Sequence, residues 1–168
     1  SQAGCALQCT FCATGTQGFD QNLESHEIIG QLWLANFSEK SNKPITNVVF
    51  MGMGEPLLNF DNVIEATKII KDQNAYGLSR KRITISTSGI VPNIKELNKH
   101  VDVSLAISLH AANDDLRDKI VPINKKYPIK MLLSSCIDFL ADHDSKRHIT
   151  IEYICLLYTS PSPRDVEE

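Results

Sequence analysis

Three cysteines near the start of the chain have the residue type and spacing that most directly indicate chemistry. Cys5, Cys9 and Cys12 lie within eight residues, in the pattern Cys-x3-Cys-x2-Cys. Three thiolates on one short loop can hold a cubane [4Fe–4S] cluster and leave its fourth iron open to another ligand. A chain of 168 residues with five cysteines, three of them clustered, favours metal binding in a reducing compartment over a disulfide framework.

Two other interpretations of the cysteine loop stay open. Structural zinc takes four ligands, usually in two separated pairs, and the nearest histidine, His26, lies fourteen residues after Cys12 on a predicted helix. A redox dithiol needs only a Cys-x-x-Cys pair and leaves Cys5 without a role. The spacing therefore favours the iron–sulfur cluster, with a zinc-binding, non-enzymatic interaction module as an alternative.

Alternating strands and helices are predicted to position this loop. Apolar runs rich in β-branched residues predict four strands, over residues 45–51, 82–87, 101–109 and 148–154. Helical periodicity predicts helices capped by Ser25, by Asn59 or Asp61, and by Asn113, and others over residues 92–98 and 129–140. Trp33 is expected in the core. The alternation indicates an α/β fold with parallel βαβ units, and four strands make only a partial (β/α) barrel.

Polar residues follow the predicted strands, where ligands bind in such folds. Gly52-Met53-Gly54-Glu55 follows the first strand, Ser86 to Gly89 end the second, and Ser108 to His110 end the third. Glycines let the backbone approach a ligand closely, and a carboxylate beside strand-end carbonyls suits an ammonium group. The segment lacks the Lys-Ser/Thr pair of a phosphate loop. The pattern therefore favours a cationic ligand over a phosphate.

The segment Cys5-Ala6-Leu7-Gln8-Cys9-Thr10-Phe11-Cys12 resembles the CxxxCxΦC signature of radical S-adenosylmethionine enzymes, with Phe11 as the aromatic residue. The glycine segment ending in Glu55 is similar to the GGE motif of that family. The resemblance implies that the three cysteines ligate a [4Fe–4S] cluster and that the open iron binds the methionine moiety of S-adenosylmethionine. It also implies an adenosyl radical that abstracts hydrogen, and a barrel of the radical S-adenosylmethionine type.

Longer stretches resemble one group within this family, the dual-specificity RNA methyltransferases that methylate C2 of an adenine in 23S rRNA and in certain tRNAs. They are SQAGC, QGF, NVVFMGMGEPLLN, RITISTSGIVP and LAISLHAANDDLRDKIVPINKK, and the resemblance runs to about Ile154. It implies 23S rRNA and tRNA as partners, a flavodoxin-like or other reductant, and a monomeric enzyme. It implies S-adenosylmethionine contacts at Gly54, Glu55, Ser86, Ser108, the Leu109 backbone and His110.

The same resemblance implies two catalytic cysteines outside this sequence, so no catalytic residue is assigned within it. One is expected just before Ser1 and the other far beyond residue 168, and neither Cys136 nor Cys155 takes these roles. We expect residues 1–154 to form an incomplete radical S-adenosylmethionine core, truncated at both ends. Residues 155–168 are expected to be a disordered, non-native tail, and the chain alone is expected to be an inactive fragment.

Composition narrows the remaining possibilities. No apolar run approaches the roughly 18 residues of a membrane helix, so we expect a cytoplasmic protein with no membrane partner. A net charge of -3 gives no global signal for nucleic acid, and RNA contact is inferred from the resemblance alone. The basic clusters Arg80-Lys81-Arg82 and Lys125-Lys126 are candidate phosphate contacts. A relative that methylates C8 of the same adenine and a radical enzyme that matures a protein remain as enzymatic alternatives.

Overall fold

A computed structural model describes residues 1–38, 43–141 and 147–154 of the chain. The predicted tail, residues 155–168, lies outside these described residues. The described part contains a four-stranded sheet in the order β3-β4-β5-β6, with every neighbouring pair parallel. The strands β1 and β2 form a separate, antiparallel two-stranded sheet. The strands are β1 Gln2–Gly4, β2 Phe19–Asn22, β3 Val48–Phe50, β4 Ile83–Thr87, β5 Ser104–Ser108 and β6 Thr150–Glu152.

Helices connect the parallel strands, as the sequence predicts. The helices of the described residues are α1 Ala13–Thr16, α2 Ser25–Phe37, α3 Phe60–Lys71, α4 Val91–His100, α5 Asp114–Ile120 and α6 Ile129–Ala141, and α3 to α6 lie between successive parallel strands. Short 3₁₀ segments occupy Pro56–Asn59, Arg80–Arg82 and Pro122–Lys125. The predicted fold class, a partial (β/α) barrel, is thereby confirmed. None of the described helices is both long and apolar enough to cross a membrane.

The N-terminal caps of two helices can be compared with the caps predicted from the sequence. The Asn113 side chain accepts a hydrogen bond from the Leu116 N–H at 2.9 Å and begins α5, as predicted. The prediction that Ser25 caps α2 is wrong by one residue. Glu24 is the cap, because its side chain accepts from the backbone of Glu27 while the Glu27 carboxylate accepts from the Glu24 N–H at 2.8 Å. This is a capping box with glutamate in place of serine or threonine.

The core lies between the central strands and the helices that cover them. Ile85 of β4 and Ile107 of β5 are fully buried, as are Ile94 of α4 and Leu132 of α6. Each such side chain stabilises the fold by about 1.5–3 kcal/mol relative to an exposed one. Together they fix the two central strands, whose carboxyl ends carry the polar residues of the site.

Trp33 does not belong to this core, contrary to the prediction. Ile28 and Leu32 are the buried residues of α2, whereas 55% of Trp33 is exposed. Successive residues of a helix point about 100° apart, so the residue after Leu32 faces away from the core. The Trp33 ring instead packs on Phe37 of the same helix, with ring centroids 5.6 Å apart.

Candidate functional site

The loop that carries the three cysteines joins β1 to α1, and a glycine sets its direction. Gly4 has a φ of +76°, and a Cβ there would lie 1.9 Å from the carbonyl oxygen of Gly18. Only glycine fits, and the Cys5 N–H can therefore donate to that same oxygen at 2.9 Å. Further along the loop, the Thr10 N–H donates to the carbonyl of Ile120 at 3.1 Å. Backbone hydrogen bonds thus hold the loop against β2 and the end of α5.

The thiols of this loop are free and lie close enough to repel one another when ionised. Cys9 is buried, whereas Cys5 and Cys12 are half-buried. Burial raises the pKa of Cys5, and burial together with the Cys5 and Cys12 thiolates raises the pKa of Cys9 to about 11. Three thiolates in this setting need positive charge beside them, which is what iron ions supply on binding.

One cavity of about 230 Å³ brings the predicted site together. Eight of the nine residues singled out from the sequence line it, namely Cys5, Cys9, Cys12, Gly54, Glu55, Ser86, Ser108 and His110. Leu109, the ninth, is not on the cavity wall. Its N–H donates to the backbone carbonyl of Glu152 at 3.0 Å, and its own carbonyl accepts from Arg117 Nε at 2.9 Å.

Glu55 enters the cavity as a buried carboxyl group fixed by backbone donors. Its Oε2 accepts from the Ser88 N–H at 2.8 Å and its Oε1 from the Leu57 N–H at 3.1 Å. Its own N–H donates to the Gln2 side-chain oxygen at 2.8 Å. Burial raises the pKa of Glu55, and these hydrogen bonds oppose the rise because they favour the ionised form.

Gly54 is required beside Glu55 for a steric reason. Its φ is +87°, and a Cβ at this position would lie 2.4 Å from the Cβ of Gln2. Gly52, two residues earlier in the same segment, has nothing within 4 Å of such a Cβ. Only the second glycine of the segment is therefore fixed by close packing.

Strand register places two serines and a carboxylate on the same face of the sheet. Ser86 pairs with Ala106, and Ser108 pairs with Glu152. Residues two apart along a strand share a face, so all three side chains project together. The Glu152 Oε2 accepts from Ser108 Oγ at 2.8 Å and from Ser86 Oγ at 3.4 Å.

His110 closes the cavity near the cysteine loop as a neutral imidazole. Burial lowers the pKa of His110, the Glu152 carboxylate opposes this, and the Arg117 guanidinium adds to it. The His110 Nδ1 accepts from the Ile154 N–H at 3.3 Å, which places the ring proton on Nε2. Its ring meets Phe11 edge to face, with centroids 4.7 Å apart. The aromatic residue of the cysteine motif thus orients this histidine.

Sequence reasoning missed two residues that organise the site, Arg117 and Glu152, and it placed Ser88 at a strand end without giving it a role. Ser88 and Glu152 line the cavity. Glu152 ends β6, whereas the fourth strand was predicted to run to residue 154, so the strand-end rule did not point to Glu152. Arg117 is fully buried, and its guanidinium donates to the carbonyl oxygens of Ser88 and Ser108. No sequence signal marks a charged helix residue as buried.

The donor set fits an iron–sulfur cluster better than a single metal ion. Among the described residues, no three His, Cys, Asp or Glu side chains converge as ligands of one ion. A cubane cluster makes a different demand, because its cysteine ligands bind separate iron atoms. Structural zinc would need four convergent ligands. The cavity beside the thiols also leaves space for a ligand at an open iron.

Comparison with known proteins gives the same class. The model of the Radical SAM superfamily matches residues 1–162, which extends past Ile154, where the resemblance was expected to end. The chain is 60% identical to the dual-specificity RNA methyltransferase RlmN of Pseudomonas putida (strain W619), over 97% of this chain and 44% of that protein. The RlmN of Pseudomonas fluorescens (strain SBW25) is 61% identical over 93% of this chain and 42% of its own length.

A solved structure agrees with these sequence matches. The crystal structure of a radical SAM methyltransferase from Sphaerobacter thermophilus superposes with a TM-score of 0.87 and 38% identity, over 98% of this chain and 48% of that one. The chain therefore belongs to the radical S-adenosylmethionine superfamily, and this membership implies a [4Fe–4S] cluster and S-adenosylmethionine as cofactors. It spans less than half the length of the RlmN relatives it matches.

Proposed function

We propose that this chain is the cofactor-binding core of an RNA methyltransferase that methylates C2 of adenine in 23S rRNA and tRNA. The observation that carries the proposal is the single cavity shared by the three cysteine thiols and the polar strand ends. The 60% identity to an RlmN protein supports this reaction over the other reactions of the superfamily. Residues 1–154 form the core in this proposal, and the protein works in the cytoplasm, where thiols stay reduced.

In this proposal each wall of the cavity has a separate task. Cys5, Cys9 and Cys12 ligate the cluster, which supplies the electron that cleaves S-adenosylmethionine. Glu55 and the Gly54 backbone face the ammonium group, since a buried carboxylate favours a cation. Ser86, Ser108 and His110 contact the rest of the molecule, and the Leu109 backbone holds the strand end beside them. The acidic wall matches the positive charge of the sulfonium and ammonium groups.

The basic clusters contribute unequally to the RNA part of the proposal. Arg80–Arg82 immediately precedes β4, so it lies at the opposite end of the sheet from the cavity. An adenine at the cavity would not bring its own phosphate to that end. Lys125 and Lys126 lie just after α5, on the connection whose start contacts the cysteine loop. Of the two clusters, Lys125-Lys126 is the better candidate for an RNA phosphate contact near the site.

Anaerobic reconstitution with iron and sulfide tests the cofactor part. We expect a broad absorption band near 400 nm that dithionite bleaches, with about four irons per chain. A Cys9→Ala variant should lose the band. Cys136→Ala is the matched control, because Cys136 is also a buried free thiol but lies on α6. A band that survives in Cys9→Ala, or a colourless chain that takes up zinc tightly, would overturn the proposed ligand set.

The reaction itself is tested in a full-length protein that contains this chain. Nucleoside mass spectrometry of 23S rRNA and tRNA after incubation should show 2-methyladenosine. Formation of 8-methyladenosine would replace the C2 assignment with the C8 alternative. Absence of any methylated adenine, with the cluster and S-adenosylmethionine both bound, would contradict an RNA methyltransferase.

A further inference from the structure

Arg117 is the largest fully buried side chain among the described residues, and its charge has no carboxylate bonded to it directly. Its Nε donates to the Leu109 carbonyl at 2.9 Å and its Nη1 to Asn124 Oδ1 at 2.8 Å. Its Nη2 donates to the carbonyls of Ser88 at 2.7 Å and Ser108 at 3.0 Å. A buried charge that bonds only neutral acceptors is costly, so its retention calls for a functional explanation.

The nearest acids reach Arg117 only through an amide. Asn124 Nδ2 donates to Asp114 Oδ1 at 2.8 Å and to Asp118 Oδ1 at 2.7 Å, while its oxygen accepts from Arg117. Both acids lie on the outer side of this relay, toward solvent: Asp114 is exposed and Asp118 is half-buried. The acids therefore neutralise the guanidinium charge only in part. The remaining charge can attract negative groups at the ends of β4 and β5, on the side of Arg117 away from Asn124.

On that opposite side Ser88 connects Arg117 to the cysteine loop. The Ser88 carbonyl accepts from Arg117, its N–H donates to Glu55, and Ser88 lines the same cavity as Cys9. Burial lowers the pKa of Arg117, and attraction to the Cys9 thiolate is the largest effect that opposes it. Ser88 thus connects the guanidinium to the cavity wall that also carries Cys9.

We propose that Arg117 is a positioning residue of the cluster site, which holds the ends of β4 and β5 together and stabilises negative charge at the Cys9 side of the cluster. This inference rests on the proposed ligand role of the cysteines. Its geometric basis is that one fully buried guanidinium bonds the ends of two strands, and that Ser88, one of its acceptors, lines the cavity together with Cys9.

A buried cation near a cluster has a measurable consequence for reduction. The reduced cluster carries one more negative charge than the oxidised one, so a nearby positive charge in a low-dielectric region favours the reduced form. Removing the charge should shift the midpoint potential to more negative values. A purely structural arginine would affect stability and leave the potential where it is.

The test is a redox titration of the reconstituted chain, followed by visible absorption, in four proteins. Arg117→Gln should have a more negative midpoint potential than wild type, and Arg117→Lys, which keeps the charge, should stay near wild type. Lys119→Met is the control, because it removes the same charge from an exposed position of the same helix. It should leave the potential unchanged, since water screens that charge.

Each result decides the question. An Arg117→Gln potential equal to that of wild type, or a Lys119→Met shift as large as that of Arg117→Gln, overturns the inference. If Arg117→Gln does not hold a cluster, Arg117→Lys decides: a wild-type potential supports the charge role, and loss of the cluster overturns it. Failure of the wild-type chain to form a cluster would instead contradict the proposed function.

Discussion

The two ends of the parallel sheet handle charge in opposite ways. At the carboxyl ends of the strands, the Glu55 and Glu152 carboxylates accept hydrogen bonds from backbone N–H groups or serine hydroxyls. At the amino ends, Arg80 and Arg147 pair with the Asp102 carboxylate, and Lys71 donates to the Asp102 backbone carbonyl. The Arg80 and Asp102 side chains there are more than a third exposed. Hydrogen bonds thus hold the carboxylates at the carboxyl ends, whereas Arg80 and Asp102 at the amino ends remain partly exposed to solvent.

The two ends therefore differ in function: the carboxylates of the cavity can act on a ligand, whereas the charges around Asp102 interact mainly with one another. Around Asp102 the cations repel one another, and Arg80 and Arg147 both contribute to the lowered pKa of Lys71 after burial. Exposed pairs of this kind contribute about 0–1 kcal/mol. The buried Glu55 carboxyl group is shielded from water, so it requires a cation or a proton. Substitutions at the two ends should therefore differ in effect.

Replacing Gly54 should give the largest effect. Gly54→Ala forces a Cβ against Gln2 at a positive φ, and the Gln2 bond to the Glu55 N–H would be lost. We expect a loss of about 3 kcal/mol in the free energy of unfolding, measured by urea denaturation. S-adenosylmethionine affinity, measured by equilibrium dialysis, should fall with it.

Gly52→Ala is the control for this substitution, because a Cβ at Gly52 meets nothing within 4 Å. It should change stability by less than about 1 kcal/mol. Equal losses in the two alanine variants would mean that the segment is sensitive to any added methyl group. The close contact with Gln2 would then not explain the glycine.

Glu152→Gln should come next, and it compares the two ends directly. The amide keeps the size of the side chain but removes the charge that accepts from Ser108 and Ser86. Hydrogen bonds to charged groups contribute about 1.5–3 kcal/mol, so S-adenosylmethionine affinity should fall by roughly tenfold or more. Asp102→Asn, the same change at the other end of the sheet, should leave that affinity unchanged. Similar losses in both variants would remove the distinction between the two ends.

The comparison also shows which parts of the molecule the sequence could predict. The four parallel strands follow from short β-branched runs, because both faces of the central strands are buried. The antiparallel pair β1–β2 was missed, because β1 has three residues and every residue of β2 is exposed, so neither carries an apolar pattern. Local patterns predict elements whose stability comes from burial, and they miss elements fixed by backbone pairing alone.

The site divides along the same line. Cys5, Cys9 and Cys12 were found by spacing, and Ser86, Ser108 and His110 by the strand-end rule with the family resemblance. Arg117 acts through contacts with residues distant in the chain, such as its bond to the Ser88 carbonyl. Such contacts depend on how strands and helices pack. Residue type and spacing therefore could not reveal them.

A third prediction concerns pH and the thiol chemistry of the cavity. Burial raises the pKa of Cys9 to about 11 and that of Cys136 to about 11, from an ordinary value of 9.0. The folded chain therefore holds these protons at pH values where the unfolded chain releases them. The resulting stability is fully present below about pH 9 and is lost as the pH rises toward about 11.

Urea unfolding of the metal-free chain between about pH 8 and pH 11 measures this effect. The free energy of unfolding should fall as pH rises, and Cys136→Ser should make the fall shallower by removing one of the two thiols. Cys136 lies on α6 and outside the cavity lining, so its substitution leaves Cys9 in place. The pH dependence of the free energy of unfolding that remains in Cys136→Ser therefore includes the contribution of Cys9. Identical slopes in the two proteins would show that Cys136 titrates normally in the folded chain.

The smallest effect is expected from Arg80→Gln at the amino ends of the strands. The Arg80 Nη1 lies 3.9 Å from Asp102 Oδ1, with both side chains more than a third exposed, so the attraction lost is small. Removing Arg80 also relieves its repulsion of Arg147 and Lys71, whose pKa values it helps to lower. The two changes oppose each other, and the free energy of unfolding should move by less than about 0.5 kcal/mol.

Urea unfolding of Arg80→Gln at low salt and at about 1 M salt measures this change, and screening by salt should make it smaller still. A loss of several kcal/mol that persists at high salt would show that Arg80 is held as specifically as the carboxylates of the cavity.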